Sequence, residues 1–250
     1  MTTPNIVDLD DTTTWPPDLA DLIGELAVSA PEGLDSAGDL HNVLGEHASF
    51  DEQVRTMLAG RLLRTYHVTR LLDYEVEDVR TLGLLALTET SLKSRVALAV
   101  EKGFLLESDL PALEQSTAFQ HERPSVARSR LGEVSLASSR QPLAQPWPLK
   151  LLSKWGGEVR QFGPVSTNAE FDRIRRLGRP TLVVAGIDAS TPPAKAAGRE
   201  LLFDFIGVHL RLSGNGVTIH YGADIPNRQI LEICHPGHAE YDRHTHFPRS

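Results

Sequence analysis

The chain has a single cysteine, Cys234, among its 250 residues. With no second thiol an internal disulfide cannot form, so stability has to come from a packed core, and a reducing, cytoplasmic setting is expected. An excess of positive charge is also lacking: 25 Lys and Arg stand against 33 Asp and Glu, a formal charge of −8. That balance excludes a nonspecific nucleic-acid binder, which needs a basic surface to displace counterions, and leaves room only for a local basic groove. No apolar run approaches the roughly 20 residues that span a bilayer, so no membrane partner is expected. The opening "MTTPNIVDLDD" has neither the basic nor the apolar region of a secretory leader. Internal repeats and low-complexity tracts are missing too. So are a GxxxxGK[ST] phosphate loop, a GxGxxG after a strand, an HExxH pair and a GxSxG elbow, which removes the main support for most common enzyme classes.

What is there is a hydrophobic content of 40%, enough for one large domain or a domain with an appendage, and one domain is expected. Residues 1–17 are acidic and rich in Thr and Pro, without periodicity, and read as a flexible arm. Residues 18–61 read as a helical extension, with helical patterns in "DLADLIGELAVSA", "AGDLHNVLGEHA" and "SFDEQVRTMLAGRLL", where Ser49 and Glu52 have capping-box spacing. From residue 62 onward the pattern is mixed. Strand "TYHVT" leads to helix "DYEVEDVRTLG", closed by Gly83, and then to helix "TETSLKSRVALAVEKG", with Thr88 as cap and Gly103 as stop. "LGEVSLASS" reads as a strand, "PLKLLSKWGG" as a short helix, "EVRQFG" as a strand, "NAEFDRIRRLG" as a helix capped by Gly178 and "TLVVAGI" as a buried strand. "PAKAAGRELLFDFIGVHLRL" reads as one long helix, followed by strands "GVTIHYG" and "QILEICH". The fold class expected over 62–250 is α+β with five or six strands.

Two stretches bring polar side chains to places where a ligand can approach. In "TYHVTR" the period of two puts Thr65, His67 and Thr69 in one row, with Arg70 next along the chain. Hydroxyls and an imidazole match a sugar, and a guanidinium matches phosphate oxygens. The bland alternative is a strand face bonded to its neighbour, with His67 as a structural histidine. In "KWGGEVRQFG" the glycines Gly156 and Gly157 leave the backbone before Glu158 open to a flat ligand. Their bland alternative is a helix cap with Glu158 solvated or paired to Arg160. The acidic face "YEVED" reads as solvated, and Trp147 and Trp155 as packing for the short helix. Near the end, Cys234, His235, His238, His244 and His246 are ligand types for zinc, at spacings that match no standard finger or catalytic pattern; no metal ligand is assigned from them.

"TYHVTRLL…VRTLGL", together with "GGEVRQFGP", "TLVVAGI" and "DIPNRQILEICHPG", resembles the ADP-ribosyltransferase fold over residues 62–235. In that family a histidine strand, a later strand opening on a glutamate and an Ile-Pro turn follow in this order. The resemblance implies a core split into two small sheets that clamp NAD between them. It implies that His67 holds the adenosine-side ribose, that Glu158 holds the 2′-hydroxyl of the nicotinamide-side ribose and stabilises the oxocarbenium-like state as nicotinamide leaves, and that Thr69, Arg70 and Arg130 contribute to NAD binding. The tyrosine that family members place on a central strand has no counterpart in "VARSRLGEVSLASS", which offers Arg128, Arg130 and Ser135; Tyr74 and Phe119 are the nearest candidates for stacking. The first reading is therefore an NAD-dependent ADP-ribosyltransferase-like protein, of the kind found among bacterial toxins and defence effectors. It would act on an unknown acceptor macromolecule, with the N-terminal helices available to a cognate inhibitor or partner protein. The second is a non-catalytic nucleotide- or partner-binding relative, and the third a metal-dependent hydrolase using the C-terminal histidines.

Overall fold

The apolar run from Leu182 to Ile187 is an inner strand of a sheet covered on both faces. The computed structural model describes residues 5–30, 33–36, 39–40, 48–88, 90–110, 131–155, 177–190, 194–196, 201–213, 216 and 218–249. In chain order these form β1 (Ile6–Val7), α1 (Pro17–Val28), α2 (Ala48–Met57), β2 (Leu62–Leu71), α3 (Asp73–Thr81), β3 (Gly83–Leu84), α4 (Ser91–Glu101), β4 (Val134–Ala137), α5 (Pro146–Leu152), β5 (Arg179–Ile187), β6 (Ala194–Ala196), α6 (Leu201–His209), β7 (Thr218–Tyr221), β8 (Ile225–Pro226), β9 (Ile230–Cys234) and α7 (Ala239–Asp242). The main sheet runs β6-β7-β4-β2-β5-β9 with every neighbour antiparallel, while β1 joins β2 in parallel. β3 and β8 make a separate two-stranded sheet. The fold class is α+β, as expected.

Alternation along the inner strands supplies the two cores. Leu63, Leu71, Val183, Ala185 and Ile187 pack with Phe203, Phe205 and Ile206 of α6 and with Leu19 and Ile23 of α1. Tyr66, Val68, Leu182 and Val184 pack on the other face with Leu151 and Leu152 of α5, Tyr241 and Phe247. Each such fully buried side chain stabilises the fold by about 1.5–3 kcal/mol relative to exposure. A third cluster sets Trp155 and Leu72 against Val96, Ala99 and Leu105. Gly83 has φ +100°, and a Cβ there would stand 1.9 Å from the carbonyl oxygen of Ile225, so β3 can approach β8 only as glycine.

Three expectations change. The segment read as a flexible arm is seated from residue 5 on: β1 pairs with Leu62 and Leu63, Leu9 and Trp15 are buried, and the Trp15 indole N–H donates to the Asp8 carbonyl. The helical extension is not set apart from the domain, because Val54 and Leu58 join α1 in the same core as the sheet. The long helix read over 193–212 breaks up: Ala194–Ala196 is a strand paired with β7, and helix is formed at Leu201–His209. The strand "EVRQFG" and the helix "NAEFDRIRRLG" up to residue 176 lie outside the described residues.

The arm is held by charge as well as by β1. Arg140 donates to Glu240 at 2.7 Å, to Asp10 at 3.2 Å and to Asp8 at 3.2 Å. Arg64 on β2 donates to Glu232 at 2.7 Å and to the Tyr66 hydroxyl at 3.2 Å. Both guanidiniums lie over the Tyr66 ring, 5.4 and 5.8 Å from its centre. Burial alone would raise the Glu240 carboxyl, but the hydrogen bond and charge of Arg140 hold it below its ordinary range. Replacing Arg140 by Met removes the nearest donor of Asp8 and Glu240 and leaves them only the longer contacts to Arg64 and Arg243. The expected cost is about 2–3 kcal/mol, below that of a fully buried pair because Arg140 keeps part of its side chain in water. A lowered urea midpoint with unchanged slope would register it.

Candidate functional site

β2 is zipped to β5 along nine residue pairs, from Leu63↔Ile187 to Leu71↔Arg179, but to β4 by one, Tyr66↔Ala137. The same edge of β2 is occupied at Leu62 and Leu63 by β1. Beyond Tyr66 the two strands part, because the start of β4 finds another partner: the Leu87 N–H donates to the Glu133 carbonyl and the Gly132 N–H to the Leu87 carbonyl. Between the parted strands opens a cavity of about 790 Å³.

His67 stands at the opening. Its Nδ1 lies 2.9 Å from the carbonyl oxygen of Ser135 on β4, spanning by side chain the gap that the ladder no longer spans. A carbonyl only accepts, so Nδ1 carries a proton and Nε2 is the accepting nitrogen of the neutral ring. Thr69 lines the cavity beside it. Thr65, the third of the row, is fully buried and donates instead to the Ala185 carbonyl.

Arg70 is a correction. It belongs to the other parity of β2, on the face of Tyr66 and Val68, and its guanidinium donates to the carbonyls of Leu177, Leu152 and Gly178 at 3.0, 3.0 and 2.7 Å. Burial lowers its pKa, and these carbonyls make it a tie between α5 and the approach to β5, on the face turned from His67 and Thr69. Glu158 and Arg130 lie outside the described residues, as do Gly156, Gly157, Arg128 and Phe119.

The cavity's other walls were less legible in the sequence. Glu75 of α3, read as solvated, is buried: it accepts from the Leu72 N–H at 2.8 Å, the Trp155 indole at 2.9 Å and Arg95 at 2.5 Å. Arg95, the one cation among the described lining residues, is thus engaged, and its guanidinium also lies 5.1 Å over the Trp155 ring. Tyr74 does enter the lining. Its hydroxyl is buried with no hydrogen-bond partner among the described residues, and burial together with Glu75 pushes its pKa up, so it stays a phenol able to donate. The far lip carries Glu133 and Ser135, and the Nδ1 of His220 on β7 lies 3.5 Å from both the Ser135 hydroxyl and the Glu133 carboxylate. His220 went unmarked in the sequence, although Thr218-Ile219-His220 repeats the polar alternation of Thr65-Tyr66-His67. Asp224 accepts from the Ala86 N–H at 2.7 Å and pins the wall that competes for β4.

The C-terminal histidines disperse. His235 bonds Thr181 at 3.2 Å and His246 the Leu143 carbonyl at 2.8 Å, while His244 stacks on Phe247 at 4.6 Å. Burial and the nearby Glu232 push the Cys234 thiol up to about 12, so it is not a thiolate nucleophile at neutral pH. Comparison with protein-family models, with curated proteins and with solved structures finds no match to this chain.

Two outcomes follow from these environments. A buried hydroxyl without a partner costs free energy, so Tyr74→Phe should stabilise the ligand-free protein by about 1 kcal/mol, read as a raised urea midpoint. His235 and His244 each have a buried Nε2 without a partner. Burial lowers both pKa values below 6.5, helped by Arg179 at His235 and by His246 at His244, where Glu240 opposes. The fold favours the neutral rings, so their contribution is complete above about pH 6.5 and is lost as pH falls through and below it. Urea midpoints taken from pH 7.5 to 5.5 should fall, and should fall less in the His235→Gln/His244→Gln double variant.

Proposed function

We propose that the cleft between β2 and β4 binds NAD and that the chain is an ADP-ribosyltransferase-like protein acting on an acceptor macromolecule. One observation carries this reading: the sheet parts at His67, and the histidine that the family resemblance assigns to ribose recognition lines the resulting cavity. A ribose hydroxyl can donate to the acceptor nitrogen of His67, and the Thr69 hydroxyl lies along the same wall. The reaction would need little acid-base chemistry. As the bond from nicotinamide to ribose breaks, positive charge grows on the sugar, and a fixed carboxylate lowers that barrier before the acceptor attacks. Glu158 is the carboxylate named by the sequence pattern, and Glu133 is one that borders the cleft.

A second reading, a non-catalytic binding relative, gains support from charge. Among the described lining residues Asp78, Glu133 and Asp224 accompany an Arg95 already committed to Glu75, and Arg70 is turned away. A dianionic pyrophosphate then depends on cations elsewhere, Arg130 and Arg128 being those the sequence puts forward.

Nicotinamide release from NAD by the purified chain, with and without acceptor extract, separates these readings. Turnover that falls at least about 100-fold in His67→Ala and in either Glu158→Gln or Glu133→Gln is the expected result, the size associated with losing a transition-state contact. Calorimetric NAD binding without turnover in all forms would favour the second reading, and absence of both would end the first.

A further inference from the structure

On β9, which ends the main sheet beyond β5, alternation brings Glu232 and Cys234 to the same side, and the turn "HPGH" brings His238 to them. The His238 N–H closes that turn on the His235 carbonyl at 2.9 Å, with Gly237 at φ +98°. One atom from each of the three residues, the Glu232 Oε2, the Cys234 Sγ and a ring nitrogen of His238, lies within 4.8 Å of the other two. Glu232 Oε2 is 3.8 Å from Cys234 Sγ and 3.9 Å from His238 Nε2. We propose that Glu232, Cys234 and His238 form a binding site for a zinc-class divalent cation.

Tetrahedral zinc with ordinary bond lengths separates its oxygen, nitrogen and sulfur ligands by about 3.4–3.6 Å, so Glu232 needs to close by about 0.2 Å on Cys234 and about 0.5 Å on His238, and Cys234 on His238 by at most about 1.2 Å. A thiolate, an imidazole and a carboxylate suit zinc and its neighbours and do not suit magnesium or calcium, which take oxygen ligands. Arg64 holds the other oxygen of Glu232 at 2.7 Å and so turns Oε2 toward the cluster, the part an outer partner plays for a ligating carboxylate. The surrounding charge tolerates a cation: Asp8, Asp10, Glu232 and Glu240 face Arg64, Arg140 and Arg243. On binding, the Cys234 proton leaves to solvent and the S–metal bond replaces the S–H bond. The single proton of His238 then sits on Nδ1, which gives up its acceptance of the Glu240 N–H, now 3.3 Å. Three protein ligands leave the fourth position to water, and the cation clips the first turn of α7 to β9.

Cobalt(II) reports this site directly. Titrated into the chelator-treated full chain, it should give a thiolate-to-metal charge-transfer band that saturates at one ion per chain. Cys234→Ser should abolish the band. His238→Ala, a change at an exposed position, should weaken binding at least about 100-fold, the upper end of what loss of a mere outer partner costs. His246→Ala, at a residue bonded to Leu143, should leave the titration unchanged. Absence of the band in the unaltered chain, or a titration that His238→Ala leaves intact, would overturn the proposal.

Discussion

A sheet that parts between two strands leaves backbone groups on both edges in need of partners, and everything around the cleft answers that need. The Ser135 carbonyl accepts from the His67 imidazole, while the Gly132 N–H and Glu133 carbonyl bind Leu87. Because these substitutes come from a side chain and from a separate loop, the wedge is held open by hydrogen bonds and not by a void. His67 is therefore both a bridge across the gap and the group that a ligand would meet there.

Keeping the wedge open also requires β2 to stay in place when one of its edges is largely given up. Its other edge is paired with β5 from Leu63 to Leu71, and its two faces carry separate cores. Arginines finish the work from opposite ends of the strand. Arg70 binds three carbonyls near its end, and Arg64, near its start, joins Arg140 and the acidic residues around Tyr66. Charged groups so placed are costly to bury and are retained with every donor occupied or hydrated, which makes β2 a rigid lip against which α3 and α4 complete the cavity.

The parts of this arrangement that were legible in the sequence are those with short-range causes. β2 announces itself by β-branched and aromatic residues in alternation, β5 by a short continuous apolar run, α1 and α3 by their apolar stripes, and the row of His67 and Thr69 by a period of two. What was missed depends on partners far along the chain. The acidic arm looks solvated until Asp10 meets Arg140, 130 residues away. Glu75 looks like an exposed helix carboxylate until Trp155 supplies an indole N–H from 80 residues downstream. Arg70 was misplaced for a local reason: adjacency in sequence was allowed to outweigh the alternation that sends it to the opposite face. The segment 194–196 reads as helix by composition, and its strand state comes from pairing with β7, which no nearby residue encodes.

The pairing of β2 with β5 has a consequence for how the protein is made. Thr65 bonds a carbonyl 120 residues further on, and the sheet cannot be assembled from its centre outward until that residue exists. At synthesis rates of 5–20 residues per second, roughly 6–24 seconds pass between the making of Thr65 and that of Ala185, and over that interval the β5 edge of β2 has no partner. An unpaired edge on a ten-residue strand is a template for other chains over that interval, so the protein is most exposed to aggregation before β5 is made.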